Sequence, residues 1–558
     1  MDNRKYMWIG VALTVVLLII VVGWMLYDRF SYGEEWANYD EMYQTEKGAV
    51  VCLDDIQTPY HALYRNGRVY LPLDLLTSEL DDRFYLSDEG AVLYTLPGGT
   101  VEVLPGQQNW VIEGQVTETP WPVCVKEQDR IYLVAELVRR IADVEITYYS
   151  DPERVLIFPG TRSETRAKVE KTAQVRIRAG RKSPILTEVK DGDEVVVINE
   201  LDDWKKVRTA DGFVGYLPSS ALGEEISEGL VSGFEVPDYT GAGAGLQGPV
   251  RIVWHQTSTR EANQTFAEYI APAQGLTAVA PTWFALSDTD GGITSLAESW
   301  YVDEAHARGL QVWGLVNDFK ADLDKYEVLS RTSSRRTLIT NLIAEAKRVG
   351  LDGINVDFEQ IDSRTGVHFI QFIRELSVEC RKEGLVLSVD NYPLIGGRPW
   401  YDIAEQGVMV DFVIMMGYDE HWGGGDPGST ASLPFTEETI SMALELVPKE
   451  KLIHAIPFYT RVWGEQMGTQ VSSAAVSMVA AKRQLEEHGV ELRWLEREGQ
   501  YFGEYISDGT KYSIWLEDIT SIELKLNLIE KYDLAGLACW KLGLEDEAVW
   551  PLIADCLE

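Results

Sequence analysis

Apolar and polar positions change rhythm several times along the chain, and each rhythm predicts a different element. Met7 to Tyr27 is apolar apart from Thr14. A run of about 21 residues is long enough for one helix to cross the hydrocarbon core of a bilayer. Between Glu34 and Gly160 a unit of strand, short helix, strand and strand occurs twice. Arg68–Leu76 (RVYLPLDLL) matches Arg130–Val138 (RIYLVAELV) at an offset of 62. Arg83-Phe-Tyr-Leu corresponds to Val144-Glu-Ile-Thr-Tyr, and the copies close on Ala91–Leu96 and Arg154–Phe158, each before Pro-Gly. Residues 161–171 are charged and aperiodic, which predicts a linker. Short alternating strands from Ala173 to Leu217, with turns at Asp191-Gly192 and Asp211-Gly212, predict a small β-barrel of about 55 residues. Ser227 to Val250 is glycine-rich with few apolar anchors and reads as a hinge.

From Val250 onward, apolar strands alternate with helical stretches in the manner of a (β/α)8 TIM barrel. The expected strands are Arg251–His255, Ala278–Phe284, Gln311–Asn317, Gly353–Glu359, Leu385–Asn391, Asp411–Tyr418, Leu452–Tyr459 and Gly536–Trp540. Thr337–Val349 and Phe369–Glu383 carry apolar residues at helical spacing. The late arrival of the last strand leaves Glu491–Leu495, Tyr501–Ile506 and Tyr512–Leu516 for a small α+β insertion walling one side of a cleft. The expected organisation is a multidomain chain: a transmembrane anchor (1–30), a duplicated α+β module (31–160), a small β-barrel (161–226), a linker (227–249) and a C-terminal TIM barrel (250–558).

Charge sharpens this picture. With 88 acidic and 50 basic residues the formal charge is −38, which repels phosphate backbones and argues against nucleic-acid binding. Arg4 and Lys5 precede the apolar run and Asp28, Glu34 and Glu35 follow it. Positive-inside bias therefore places the N-terminus in the cytoplasm and the bulk of the chain outside a cell membrane crossed once. A cleaved signal peptide is the rival reading, disfavoured by the length of the run and by its aromatic end at Trp24 and Tyr27. Five cysteines do not make a disulfide scaffold; Cys52 and Cys124 could pair outside the cell, whereas Cys539 and Cys556 read as buried.

The candidate chemistry sits at Leu351–Gln360, LDGINVDFEQ. Ile354, Val356 and Phe358 alternate with Asn355, Asp357 and Glu359, so the three polar groups share one face of a strand. Carboxylates stacked near the end of a parallel strand are unusual. Here Glu359 stands outermost with Asp357 beneath it, an arrangement suited to protonating a leaving-group oxygen. The plain alternative is an acidic strand end running into a solvated loop, against which Gly353 and the strict alternation argue.

The stretch resembles the active-site motif D-G-x-D-x-D-x-E of glycoside hydrolase family 18, the chitinase-like enzymes, through Asp352, Gly353, Asp357 and Glu359; Asn355 replaces the first inner aspartate. Met415-Met416-Gly417-Tyr418-Asp419 resembles the family's M-x-Y-D block, Pro457-Phe458-Tyr459-Thr460-Arg461 its P-F-Y-G-R block, and Trp540 its hydrophobic floor. Asn355, like Tyr512-Ser-Ile-Trp-Leu-Glu-Asp518, is similar to the cell-wall and spore-cortex branch. The resemblance implies Glu359, Asp357 and Tyr418 as catalytic residues, and Asn355, Asp352, Met416, Asp419, Tyr459, Arg461 and Trp540 as substrate-binding ones. Trp254, Trp283, Trp313, Trp422 and Trp463 are further candidates for stacking on sugar rings.

It also implies substrate-assisted retaining hydrolysis, because no second carboxylate is evident as a nucleophile. The acetamido carbonyl attacks the anomeric carbon while Glu359 protonates the glycosidic oxygen, and Asp357, expected to be held by the Asn355 amide and to remain an anion in the resting enzyme, faces the resulting cation. The partner is an N-acetylated glycan, with peptidoglycan favoured over chitin, and no cofactor is implied. Two flanking resemblances accompany this. Residues 161–226 look like a bacterial Src-homology-3-like domain, either a contact for wall peptide or a spacer. Residues 34–160 resemble the stalk domain of copper amine oxidases, although His61 is the one imidazole there and no metal is implied. A catalytically silent glycan-binding or envelope scaffold protein is the alternative from another class; a lectin needs the aromatics but not the acid.

Overall fold

The structure is a computed structural model describing residues 3–557. The side chains of Arg4 and Lys5, on which the charge-bias reading rests, lie outside the described ones. Asn3–Phe30 is one helix of 28 residues, of which Tyr6–Arg29 is long and apolar enough to cross a membrane.

The chain forms two compact units, residues up to 84 with 103–110 and 117–236, and residues 85–102, 111–116 and 237 onward. The stretch 31–160, expected as one module, is thus divided between them. In the first unit the repeat is visible in the pairing. Arg68–Pro72 and Arg130–Val134 lie antiparallel with Leu71 opposite Leu133 and Tyr70 opposite Val134. Leu71 and its equivalent Leu133 therefore meet across a local two-fold between the fifth and sixth strands of a seven-stranded sheet.

A second seven-stranded sheet forms the small barrel. Here one expectation is corrected: residues 161–171 are not a free linker, since Arg162–Val169 is a strand paired with Glu194–Leu201 and Leu222–Leu230. Its charges disguised it. Glu164 is buried and accepts hydrogen bonds at 2.9 Å from both Arg162 Nε and Arg166 Nη2, with Arg208 also paired to it. All five cysteines, Cys52 and Cys124 included, are buried free thiols.

In the second unit eight parallel strands close a barrel: β1 (Val250–His255), β2 (Ala278–Pro281), β3 (Gln311–Asn317), β4 (Gly353–Asp357), β5 (Val386–Asn391), β6 (Phe412–Met416), β7 (Leu452–Pro457) and β8 (Gly536–Trp540). Closure comes from β2 pairing with β3 and β8 pairing with both β7 and β1. Ile354 and Val356 of β4 pack outward on Phe369, Phe372 and their neighbours in the helix Gly366–Glu383. Inside, Ile252, Trp254, Trp313, Leu315, Ile414 and Ala455 fill the barrel. Gly353 is required at the start of β4, because a Cβ there would lie 2.8 Å from Val386 O and 2.9 Å from the Trp313 ring.

The glycine-rich stretch also packs more than a hinge would. Tyr239 is buried, and Gly243 N donates at 2.7 Å to Asp411 Oδ1, whose other oxygen accepts from Leu387 N. Residues 85–102 form a small sheet held to the barrel helices: Asp88 Oδ1 accepts from Thr332 N and Oγ1, and Arg335 Nη1 donates to Tyr85 Oη at 3.2 Å. The insertion between β7 and β8 is a five-stranded antiparallel sheet, begun by Tyr459–Gln466 and Thr469–Ser477, with the helix Met478–Glu487.

Candidate active site

The C-terminal strand ends surround a cavity of about 160 Å³ lined by Trp254, Asp357, Glu359, Asp390, Tyr392, Met416, Tyr418, Asp419, Tyr459 and Trp540. Of the residues expected from sequence, Asp357, Glu359, Met416, Tyr418, Asp419, Tyr459 and Trp540 meet here. β4 ends at Asp357, so Glu359 stands just beyond the last paired residue, where Asp318 fixes the turn by accepting from Glu359 N at 2.9 Å and Gln360 N at 3.0 Å.

Glu359 is half-buried, and Tyr392 Oη donates to its Oε2. Burial pushes its carboxyl above the usual range, helped by the negative charges of Asp318 and Asp419; the Tyr392 hydrogen bond and Arg398 oppose this without cancelling it. Asp357 is raised well above its ordinary value by burial and then by Asp390 and Glu359. A carboxyl that holds its proton more tightly than usual suits protonation of a leaving group.

Beyond β6, Asp419 sits at φ +59° in the left-handed region. Its Oδ1 accepts from Tyr459 Oη at 2.6 Å and from Arg461 Nη2 at 3.4 Å. Arg461 therefore works one step back from the cavity, as a support for Asp419. Tyr418 lies edge-on to Tyr459, ring centroids 6.1 Å apart, and Trp254 is tilted against Trp540 at 5.7 Å.

Three expectations are corrected. Asp352 precedes β4 and so occupies the opposite end of the barrel; its Oδ2 accepts from Val312 N at 2.8 Å and lies 2.8 Å from His306 Nε2, so it joins neighbouring elements and does not line the cavity. Asn355 is fully buried one layer below the cavity floor. Its amide reaches Asp390 and Ser388 rather than Asp357: Nδ2 donates to Asp390 Oδ1 at 2.8 Å and Ser388 Oγ at 2.9 Å. Among the tryptophans, Trp283, Trp313 and Trp463 are core. Trp283 Nε1 donates to Asn263 and Trp463 Nε1 to Gly428 O, while Trp313 stacks on Phe412. Trp254 lines the cavity, and Trp422 is 58% exposed on the loop after β6.

Asp390, Tyr392 and Asp318 were not singled out from the sequence. Leu387-Ser-Val-Asp-Asn391 carries the same alternation as β4, with Ser388 and Asp390 on the inward face, so its pattern held the signal for Asp390. Tyr392 and Asp318 sit on loops, where no periodicity points to them.

The family model for glycosyl hydrolases family 18 matches residues 253–545, and that for the bacterial SH3 domain matches residues 171–223. Cortical fragment-lytic enzymes of Bacillus subtilis and Bacillus anthracis are similar: the first is 28% identical over 237 residues (41% of this chain, 55% of that protein), the second 26% over 246 (43% and 57%). The chain spans a little over half the length of these curated relatives. In fold, the barrel resembles the spore cortex-lytic enzyme SleL of Bacillus cereus (22% identity, TM-score 0.51, covering 61% of this chain and 79% of that one). It also resembles a chitinase from Chromobacterium violaceum (23%, 0.50, 55% and 99%). With more than half of its residues inside the matched model, this chain belongs to glycosyl hydrolases family 18.

Proposed function

We propose that the protein hydrolyses glycans containing N-acetylglucosamine, peptidoglycan in preference to chitin, by substrate-assisted retaining catalysis. One observation carries this reading: a half-buried Glu359, its carboxyl raised above the usual range, shares a single small cavity with Asp357, Tyr418 and the Trp254–Trp540 pair. A glycan-binding scaffold needs the aromatic floor but gains nothing from the raised acid.

Trp540 and Trp254 take the apolar face of the sugar at the cleavage point, and Tyr418 hydroxyl orients its acetamido group. Glu359 gives its proton to the glycosidic oxygen as the acetamido carbonyl oxygen bonds to the anomeric carbon and the leaving sugar departs. Asp357, as the anion, faces the positive charge that develops on the acetamido group. Glu359, now a carboxylate, takes a proton from the water that opens the ring intermediate; configuration is retained and the acid is restored.

Tyr6–Arg29 suits a retained single-pass anchor that holds the catalytic unit outside the membrane. The small barrel matched as a bacterial SH3 domain suits contact with wall peptide, and the duplicated module suits a spacer. The similarity to cortical fragment-lytic enzymes favours wall glycan as the substrate.

The test is to incubate the full-length chain with purified peptidoglycan and with chitin oligomers and to identify new reducing ends. Release of N-acetylglucosamine ends from peptidoglycan supports the proposal; intact glycans across the pH range, with the protein co-sedimenting, support a scaffold. Protease accessibility of the SH3 domain in intact cells tests the topology.

A further inference from the structure

The strand motif lacks an aspartate at Asn355, and the neighbouring strand carries one. β4 and β5 pair with Asn355 opposite Ser388 and Val356 opposite Val389. The next residues, Asp357 and Asp390, therefore stand at one level, both facing inward. Adjacent strands lie about 4.8 Å apart, so the two carboxylates are cross-strand neighbours. Both line the cavity and both are almost completely buried, 5% and 2% exposed.

The surroundings treat the two groups unequally. Asn355 has no freedom to turn: Trp254 Nε1 donates to its Oδ1 at 3.0 Å, which forces Nδ2 toward Ser388 Oγ and Asp390 Oδ1. Asp390 is thus held through Oδ1. Asp357 Oδ1 is buried without a hydrogen-bond partner, a costly state for an acceptor unless a neighbouring acid donates to it. The charged and titratable groups around the pair are Glu359 beyond β4, Asp318 after β3, Tyr418 after β6 and Tyr392 after β5, with Arg398 acting on Glu359. Among the described residues, neither aspartate has a lysine or arginine among the groups acting on it. Two adjacent buried carboxylates without a cation do not both ionise.

We propose that Asp357 and Asp390 share one proton in the resting site, so that Asp390, a positioning residue, supplies the carboxylate that Asn355 leaves out of the strand motif. As positive charge grows on the acetamido group, the proton passes from Asp357 to Asp390 and leaves Asp357 anionic beside it. It returns when water opens the intermediate. The proton count of the pair is unchanged, so no co-reactant is needed. Asn355 is the complementary partner in this arrangement, because an aspartate there would set acceptor against acceptor at Asp390 Oδ1. The catalytic half of the inference rests on the glycosidase reading; the shared proton does not.

The test therefore has a readout without substrate. Full-length chain labelled with 13C-aspartate is titrated by infrared difference spectroscopy, which separates aspartic acid carbonyl bands from that of Glu359. Wild type is expected to hold a protonated aspartic acid well above the usual carboxylate range. Asp390→Asn should lower the midpoint by about one unit or more, because the second anion is gone. Asp357→Asn should do the same. The exchanged variant Asn355→Asp/Asp390→Asn, which preserves the hydrogen bonds with the carboxylate relocated, should restore the high midpoint and guards against misfolding of a single variant. On a cleavable oligomer, Asp390→Asn should lose about 10²-fold in kcat with KM little changed, and the exchanged variant should recover most of it. An unchanged midpoint in both single variants overturns the shared proton, whether or not any glycan is cleaved. Full kcat in a folded Asp390→Asn overturns the role in catalysis.

Discussion

Tyr392 Oη donates to Glu359 Oε2, and Arg398 lies over the same tyrosine ring, its guanidinium carbon 3.9 Å from the centroid. The acid is therefore restrained from β5 as well as from its own strand. This hydrogen bond favours the carboxylate, while burial, Asp318 and Asp419 favour the neutral acid.

Tyr392→Phe removes the one hydrogen-bonding hydroxyl that favours the anion, so the Glu359 carboxyl should rise further. Because the proton donor must be neutral, the alkaline limb of kcat/KM should move to higher pH, by about half a unit to one unit. A pH–rate profile on a chromogenic N-acetylglucosamine oligomer checks this, and a limb that moves to lower pH contradicts the assigned balance.

Glu359→Gln keeps the shape of the side chain and removes its proton. Turnover should fall by about 10²- to 10⁴-fold, while calorimetry with an N-acetylated oligomer should show binding within a few-fold of wild type. Loss of binding in a folded variant would mean that Glu359 holds the glycan rather than cleaving it.

Behind the site, Lys525 Nζ lies 2.9 and 3.0 Å from the two oxygens of Glu517, with both side chains fully buried. Ser521 Oγ and Gln500 Nε2 complete the carboxylate's shell at 2.7 and 2.6 Å. Lys525→Met strands the Glu517 charge and should cost about 3–5 kcal/mol in denaturant unfolding; Glu517→Leu/Lys525→Met together should cost less than either single change. Equal additive losses would show that the pair is not coupled.

Much of this was legible in the sequence, and the reasons differ by element. β4 announced itself because period-two alternation survives where one face carries chemistry, and the barrel strands were found because parallel strands are apolar runs of fixed length. The strand ends expected from sequence lie too far along: β4 stops at Asp357 and β7 at Pro457, since residues past the ladder keep the composition of a strand without its pairing. Arg162–Val169 was hidden because Glu164 pairs with arginines within the sheet, which composition reads as solvated charge. Asn355 stands out in the sequence as a departure, but its partner does not: an amide on one strand reaches whatever the neighbouring strand presents, and register is a tertiary fact.

The central claim is that the substrate's own acetamido group forms the first bond to the anomeric carbon. The most direct measurement compares kcat/KM for an N-acetylated oligomer with that for the same oligomer carrying a free amine on the sugar at the cleavage point. Assistance from within the substrate predicts a loss of about 10³-fold or more. Cleavage of both at comparable rates would contradict it and require a nucleophile from the protein.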